Sequence, residues 1–225
     1  NIGSVPIAIS SLRKEAMAML QLAETNLAES MDALCGNAFN LEKIRKREKR
    51  IDYINYEITN YMTLVSSLKM NESDSTTCNA LYKCFSDIER IGDHAINIIQ
   101  YSTDEDNKLS SSKYIEDELH QLASLLSKSF SLLSTYSLDS QDECFEKIER
   151  IEDRIDELTA SYRQAQIERL MEKKVNVLDC VIYSEILTDV ERVSDHIMNI
   201  IQEAKRCNFT LSDEAIQSDP ALSAA

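Results

Sequence analysis

The chain has 225 residues with only 3 Gly and 2 Pro, too few turn formers for a fold of short strands or for glycine loops that cradle phosphates. Hydrophobic residues at 43% and charged ones at 28% supply both a core and a charged coat, which excludes disorder and points to a helix-rich protein. The net charge of -15 repels phosphate backbones and argues against a nucleic acid partner.

Apolar residues recur at helical spacing over residues 7–34, with Met17, Leu20, Leu27, Met31 and Leu34 on one stripe and Gly36-Asn37 as a left-handed cap. A second helix is predicted over 39–69. Its basic run, Lys43, Arg45, Lys46, Arg47, Lys49 and Arg50, has no aromatic interleaving and reads as a solvated face. The polar stretch 71–77 breaks the pattern and offers N-caps to a third helix ending near Tyr101. Residues 102–112 are polar and serine-rich and read as a linker. Helices then follow over 113–136, 141–173 and 177–206, and the tail after them is polar. No run approaches the roughly 18 apolar residues of a membrane helix. The six cysteines form no CxxC pair, which fits reduced thiols in a cytoplasmic compartment.

Three helices, a linker and three helices suggest duplication. Asp87-Ile-Glu-Arg-Ile-Gly-Asp-His-Ala-Ile-Asn-Ile-Ile-Gln100 aligns with Asp189-Val-Glu-Arg-Val-Ser-Asp-His-Ile-Met-Asn-Ile-Ile-Gln202, with nine of fourteen positions identical. Upstream, Glu48-Lys-Arg-Ile-Asp52 matches Glu152-Asp-Arg-Ile-Asp156. Each helix is amphipathic and cannot bury its stripe alone. The fold class is therefore all-α, a tandem repeat of two antiparallel three-helix bundles. The predicted organisation is a first repeat over 1–101, a linker over 102–112, a second repeat over 113–207 and a loose tail over 208–225.

Within the duplication stand four acidic pairs at i, i+4: Glu48 with Asp52, Glu89 with Asp93, Glu152 with Asp156, and Glu191 with Asp195. Like charges at that spacing repel by about 0.2–0.5 kcal/mol, so something should compensate them. Placing Asp52 opposite Asp93 in an antiparallel hairpin centres the turn between residues 72 and 73, and Asp156 opposite Asp195 centres the second between 175 and 176. Both points fall where the helical pattern breaks. That register puts Asn97 beside Glu48 and Asn199 beside Glu152. Each repeat so gathers four carboxylates and a carboxamide, a donor set suited to hard cations such as Mg, Ca, Mn or Fe, with carboxylates bridging more than one ion. The alternative is a set of solvated acids balanced by Arg45, Arg90, Arg154 and Arg192. His94 and His196 lie about 100° round the helix from their acidic neighbours and suit packing or a hydrogen bond between bundles. No nucleophile and base constellation is present, so the chain is read as non-enzymatic.

The duplicated signature Ile-Glu-Arg-Ile-Gly-Asp-His-Ala-Ile-Asn-Ile and Val-Glu-Arg-Val-Ser-Asp-His-Ile-Met-Asn-Ile resembles the PhoU family of phosphate-regulatory proteins, over about residues 10–206. The resemblance implies PhoU-type bundles with multinuclear metal sites on the acidic motifs and a role in phosphate uptake or signalling. Divalent or trivalent ions are expected, Fe, Zn, Mg or Mn; the resemblance implies iron or zinc, and the sequence does not choose between them. Residues 67–78 lack the Gln-Pro and Asp-Leu-Arg segment usual in free-standing members. The opening Val5-Pro6-Ile-Ala-Ile9, with Arg13-Lys14-Glu15 and Met17, looks like the join between a sodium-dependent phosphate cotransporter's membrane domain and its C-terminal PhoU-like domain. A first residue other than Met fits that join. The expected partner is thus a phosphate transporter membrane domain in the same polypeptide, tethering a cytoplasmic domain to the inner face of the membrane, with a homodimer also open. A free-standing PhoU-type regulator is the alternative, and a carboxylate-bridged metalloenzyme a third.

Overall fold

The computed structural model describes residues 4–211, and all regular structure within them is helical. The helices are α1 Val5–Leu34, α2 Leu41–Val65, α3 Glu72–Thr103, α4 Lys113–Thr135, α5 Gln141–Met171 and α6 Val177–Arg206, with a short 3-10 turn at Leu138–Ser140. Local chemistry explains several ends. Pro6 opens α1, where its missing N–H costs nothing. Asn40, Asn71 and Asn176 cap α2, α3 and α6, each accepting the backbone N–H three residues on at 3.1, 2.7 and 2.8 Å. Such a cap contributes about 1 kcal/mol. Gly36, at φ 83, closes α1 as expected. Helix α2 stops short of the expected residue 69, because the Ser66 and Ser67 hydroxyls turn back onto the carbonyls of Thr63 and Leu64 at 2.7 and 2.6 Å.

In the first repeat α1 lies along α3 and α2; in the second α4 packs on α5 and α6 and also reaches α1. The repeats meet through α3 and α6, which run antiparallel: Lys83 pairs with Glu203 near one end and Asn97 with Asp189 towards the other. One main hydrophobic cluster, from Leu12 and Met19 through Phe85 and Ile91 to Ile186 and Ile201, runs through both bundles. Each such buried side chain contributes about 1.5–3 kcal/mol, so the repeats stabilise each other.

The connection over 102–112 is held to the fold: Leu109 is buried, its N–H donates to the Tyr101 carbonyl, and the Ser110 N–H donates to buried Asp179 at 2.9 Å. The expectation of a loose tail from residue 208 needs correction. The tail begins packed. Asn208 takes the left-handed conformation at φ 52 and the Phe209 N–H returns to the Ala204 carbonyl at 3.1 Å, which folds Phe209 and Leu211 into the core at 0% and 2% exposure. The rest of the expected tail, 212–225, and residues 1–3, including the non-Met start, lie outside the described residues. No helix among those described is long and apolar enough to cross a membrane.

Candidate metal centres

The hairpin contacts follow the register drawn from the turns. Gly92 of α3 backs onto α2 so closely that a Cβ there would stand 3.1 Å from Glu48 Oε2 and 3.2 Å from Ile51 Cδ1. In the second hairpin the Thr159 hydroxyl donates to Glu191 at 2.6 Å, and Arg163 reaches across to the Thr188 hydroxyl at 2.9 Å.

In the first repeat the acids crowd one another. Burial, then the charges of Asp52, Asp93 and Glu89, push the Glu48 carboxyl up to about 7. Its Oε2 is buried and has no hydrogen-bond partner. Burial and the Asp93 charge raise Glu89, with Arg90 opposing; burial and the Asp52 charge raise Asp93, with Arg90, His94 and His196 opposing. An ionised carboxylate left in this state costs more than the 1–3 kcal/mol typical of a neutral unsatisfied group.

The second repeat differs at one position. Burial and the neighbouring acids again raise Glu152 and Asp156. Burial also acts most strongly on Glu191, yet its carboxyl is held below the ordinary value by hydrogen bonds from Arg163 and Thr159 and the charges of Arg163 and Arg192. Arg163 grips both oxygens, at 2.6 and 2.9 Å. Counted from the Glu48 and Glu152 motifs, Arg163 corresponds to Thr59 and Thr159 to Asn55. The Thr59 hydroxyl is turned onto the Asn55 carbonyl at 3.1 Å, so the first repeat has no cation at this point.

Asn97 and Asn199 are engaged elsewhere than expected. Rather than serving Glu48 and Glu152, the Asn97 amide donates to Asp189 at 3.4 Å and the Asn199 amide to Asp87 at 3.0 Å, each across the interface between repeats. His94 and His196 join them there: His94 Nδ1 lies 2.7 Å from Asp189 Oδ1, His196 Nδ1 lies 2.9 Å from Asp87 Oδ1, and the two rings stack with centroids 5.6 Å apart. Asn97 lies between Asp93 and His94 in angle, about 40° from the first and 60° from the second, so its amide can reach either side, and here it takes the side turned to α6. Asp87 and Asp189 escaped the sequence argument, although each is duplicated and lies seven residues, two turns, before a His on the same face. Arg163 escaped because it has no duplicate.

Among the described residues no three His, Cys, Asp or Glu side chains converge closely enough to hold one ion. The donor set still fits a hard cation: oxygen ligands, partly buried, mutually repelling, with one buried oxygen unpartnered. Binding requires side chains of a cluster to turn inward from their present positions.

A duplicated three-helix unit, joined through antiparallel central helices and carrying an acid cluster in each hairpin, defines a class of two-repeat helical proteins. The family model described as the PhoU domain matches residues 16–102 and again 119–204, and the chain belongs to the PhoU family. It is 24% identical over 207 residues to the phosphate-specific transport system accessory protein PhoU homolog 1 of Thermotoga maritima, covering 87% of this chain and 84% of that one. A PhoU homolog of the same description from Deinococcus radiodurans is 24% identical over 125 residues, 56% of this chain and 58% of that one. The fold is that of PhoU from Pseudomonas aeruginosa, with TM-score 0.79 and 18% identity over 91% of this chain and 99% of that one. PhoU from Streptococcus pneumoniae superposes at TM-score 0.63 and 17% identity.

Proposed function

We infer that the chain is a non-enzymatic regulator of phosphate transport whose acid clusters take up divalent or trivalent metal ions. The observation that carries the metal reading is Glu48: a buried carboxylate oxygen without a partner, pushed up by burial and by three more carboxylates, with no cation among the causes that act on it. Glu48, Asp52, Glu89 and Asp93 would hold an ion in the first repeat, and Glu152, Asp156, Glu191 and Asp195 in the second. A bound ion would supply positive charge that the first cluster lacks and that the second receives only in part, from Arg163 on Glu191. Asn97 and Asn199, tied to the interface, link the clusters to the contact between repeats.

The phosphate role rests on family membership and on relatives described as accessory proteins of phosphate-specific transport systems. The curated relatives are themselves described as accessory proteins of phosphate-specific transport systems, which favours an accessory protein of the PhoU kind over the cotransporter tail. The tail remains the second reading, carried by the departure from the family pattern over residues 67–78 and by the Val5–Met17 segment. On either reading the domain acts by favouring one transporter conformation through a differential contact. The test compares phosphate uptake, at high and low phosphate supply, in cells with the intact protein, without this domain, and with alanine at Glu89, Asp93, Glu191 and Asp195. Deletion should alter the response to supply, and the alanine variant should reproduce part of the change. Identical uptake in all three would remove the regulatory role; a normal metal content in the alanine variant would remove the metal sites.

A further inference from the structure

The tip of the second hairpin exposes a cluster of large apolar side chains. Ile167 and Met171 at the end of α5 are 51% and 78% exposed, and Val177, Leu178 and Val181 at the start of α6 are 64%, 46% and 54% exposed. They adjoin one another. Arg163, Ile167 and Met171 follow at four-residue steps on α5, while Thr188, Val181 and Val177 lie on one stripe of α6. The bond from Arg163 to Thr188 brings these two stripes to one side of the hairpin. Duplication supplies an internal control: counted from the motifs, the same five positions in the first repeat are Thr63, Ser67, Ser75, Thr76 and Asn79. A face that only meets water is polar there, and its copy is apolar.

The same hairpin side continues past the Arg163–Glu191 pair into acids. Among the described residues Glu152, Asp156 and Asp195 make no ion pair, since Arg154 pairs with Glu157 and Arg163 with Glu191. Met171 and Asp156 stand about 22 Å apart along α5 at roughly 1.5 Å per residue. One face thus presents an apolar end and, some four turns away, an uncompensated acidic end. Five apolar side chains are far fewer than the roughly 20–30 residues a side that a stable homodimer buries. An anionic bilayer would meet the acidic end and a net charge of -15. We propose that this face docks an amphipathic helix of a partner protein, whose apolar stripe covers Ile167, Met171, Val177, Leu178 and Val181 and whose basic residues reach Asp156 and Asp195.

The proposal shares Asp156 and Asp195 with the metal reading, so it is tested on the full chain after chelation, where no ion competes for them. The probes are two labelled 18-residue helical peptides of the same apolar pattern, one built of Leu and Lys, the other of Leu and Glu. Fluorescence anisotropy should show the Leu/Lys peptide bound at least tenfold more tightly than the Leu/Glu one. The variant Ile167→Thr, Met171→Ser, Val177→Ser, Val181→Asn, which gives α5 and α6 the identities of the first repeat, should weaken that binding at least tenfold. It leaves every charge in place, so nonspecific attraction to an acidic protein is preserved in it. Asp156→Asn with Asp195→Asn should weaken binding several-fold. Should the fourfold variant melt early, Met171→Ser and Val177→Ser singly replace it, since both side chains project from the fold and each alone should weaken binding severalfold. Equal binding by wild type and apolar variants, or no binding of the Leu/Lys peptide, overturns the proposal. So does a loss in the variant of self-association by sedimentation or of flotation with phosphatidylserine vesicles while peptide binding is unchanged.

Discussion

In the first repeat four carboxylates crowd one another with Arg90 nearby but, among the described residues, no cation bonded to them, and Glu48 carries the consequence as a buried oxygen with no donor to accept from. In the second, the same four positions sit on the same hairpin register, but Arg163 has entered and holds Glu191. The replacement of Thr59 by Arg163, with Thr159 in place of Asn55, separates a cluster with no bonded cation from one with a cation built in. Five matched positions at the hairpin tips diverge as well, polar in the first copy and apolar and exposed in the second. Duplication preserved the scaffold, through the apolar stripes and the interface between α3 and α6, and left charge balance and surface to be set position by position.

The largest expected effect breaks the comparison at Glu48. Its folded carboxyl titrates near 7 against an ordinary 4.5, so the folded state binds a proton more readily than the unfolded one. Stability from this group is therefore fully present below about pH 4.5 and is lost as pH rises through about 7. At 1.36 kcal/mol per pH unit the loss is on the order of 3 kcal/mol. Glu48→Gln should raise the melting temperature of metal-free protein at pH 8 by several degrees and leave it nearly unchanged at pH 4.5, while Glu152→Gln should do much less. Saturating manganese should reverse the ranking. An ion at about 100 times its dissociation constant adds about 2.7 kcal/mol, or roughly 5–10 °C, to wild type. The Glu48→Gln, Asp93→Asn variant should lose most of that rise. A rise of equal size in that variant would place the ion elsewhere.

Arg163→Thr sharpens the comparison by giving the second cluster the first cluster's residue. Removing a partly buried bidentate partner should cost about 1–3 kcal/mol in metal-free protein near pH 7. Because Glu191 is held below its ordinary value, the stability it contributes is present above about pH 4.5 and fades as pH falls through its folded value. The difference between wild type and variant, followed by denaturant titration, should shrink below that pH. With metal, the variant should gain a further increment that wild type lacks. If calorimetry finds no additional ion, Arg163 is a structural pair and not a stand-in for one.

The cross-repeat pairs give a smaller effect. Asp87→Asn weakens the contacts of His196 and Asn199, and Asp189→Asn those of His94 and Asn97. Each should cost about 1–2 kcal/mol. The double variant should cost about the sum unless the stacked rings couple the two sites, which a double-mutant cycle measures.

The helices, the duplication and the hairpin register were all legible in the sequence, because apolar periodicity, asparagine caps and motif spacing are local signals. So was the role of the two histidines in joining the bundles, from their angle relative to the acids. What escaped depended on which neighbour each face meets. Height along the helix sets Asn97 beside the acids, and its angle, between Asp93 and His94, leaves both sides open; only the packed structure shows that the amide goes to Asp189 on α6. Phe209 and Leu211 were read with a polar tail, although a left-handed Asn208 folds them back onto the core. Arg163 could be found only by asking where the two copies disagree, since a duplicated motif directs attention to what is shared.

The smallest effect tests how tightly the first hairpin closes. Gly92 matches Ser194 in the second repeat, so a small side chain is compatible with this position in the scaffold. Gly92→Ala gains about 0.8–1 kcal/mol of helix propensity. Against this, the new Cβ would lie 3.1 Å from Glu48 Oε2 and 3.2 Å from Ile51 Cδ1, so both neighbours must give by a few tenths of an ångström. Glu48 is the far end of a flexible side chain, and moving it takes the unpartnered oxygen out of its buried position. Ile51 is wholly buried and has less room to yield. The net change in metal-free protein should stay within about 1 kcal/mol of zero. The metal response should change more than the stability, because the displaced group is the one the ion needs. A variant more stable by the full propensity gain, with an unaltered manganese response, would show that Glu48 already stands clear of Gly92 and that the closeness of α2 and α3 places no constraint on the cluster.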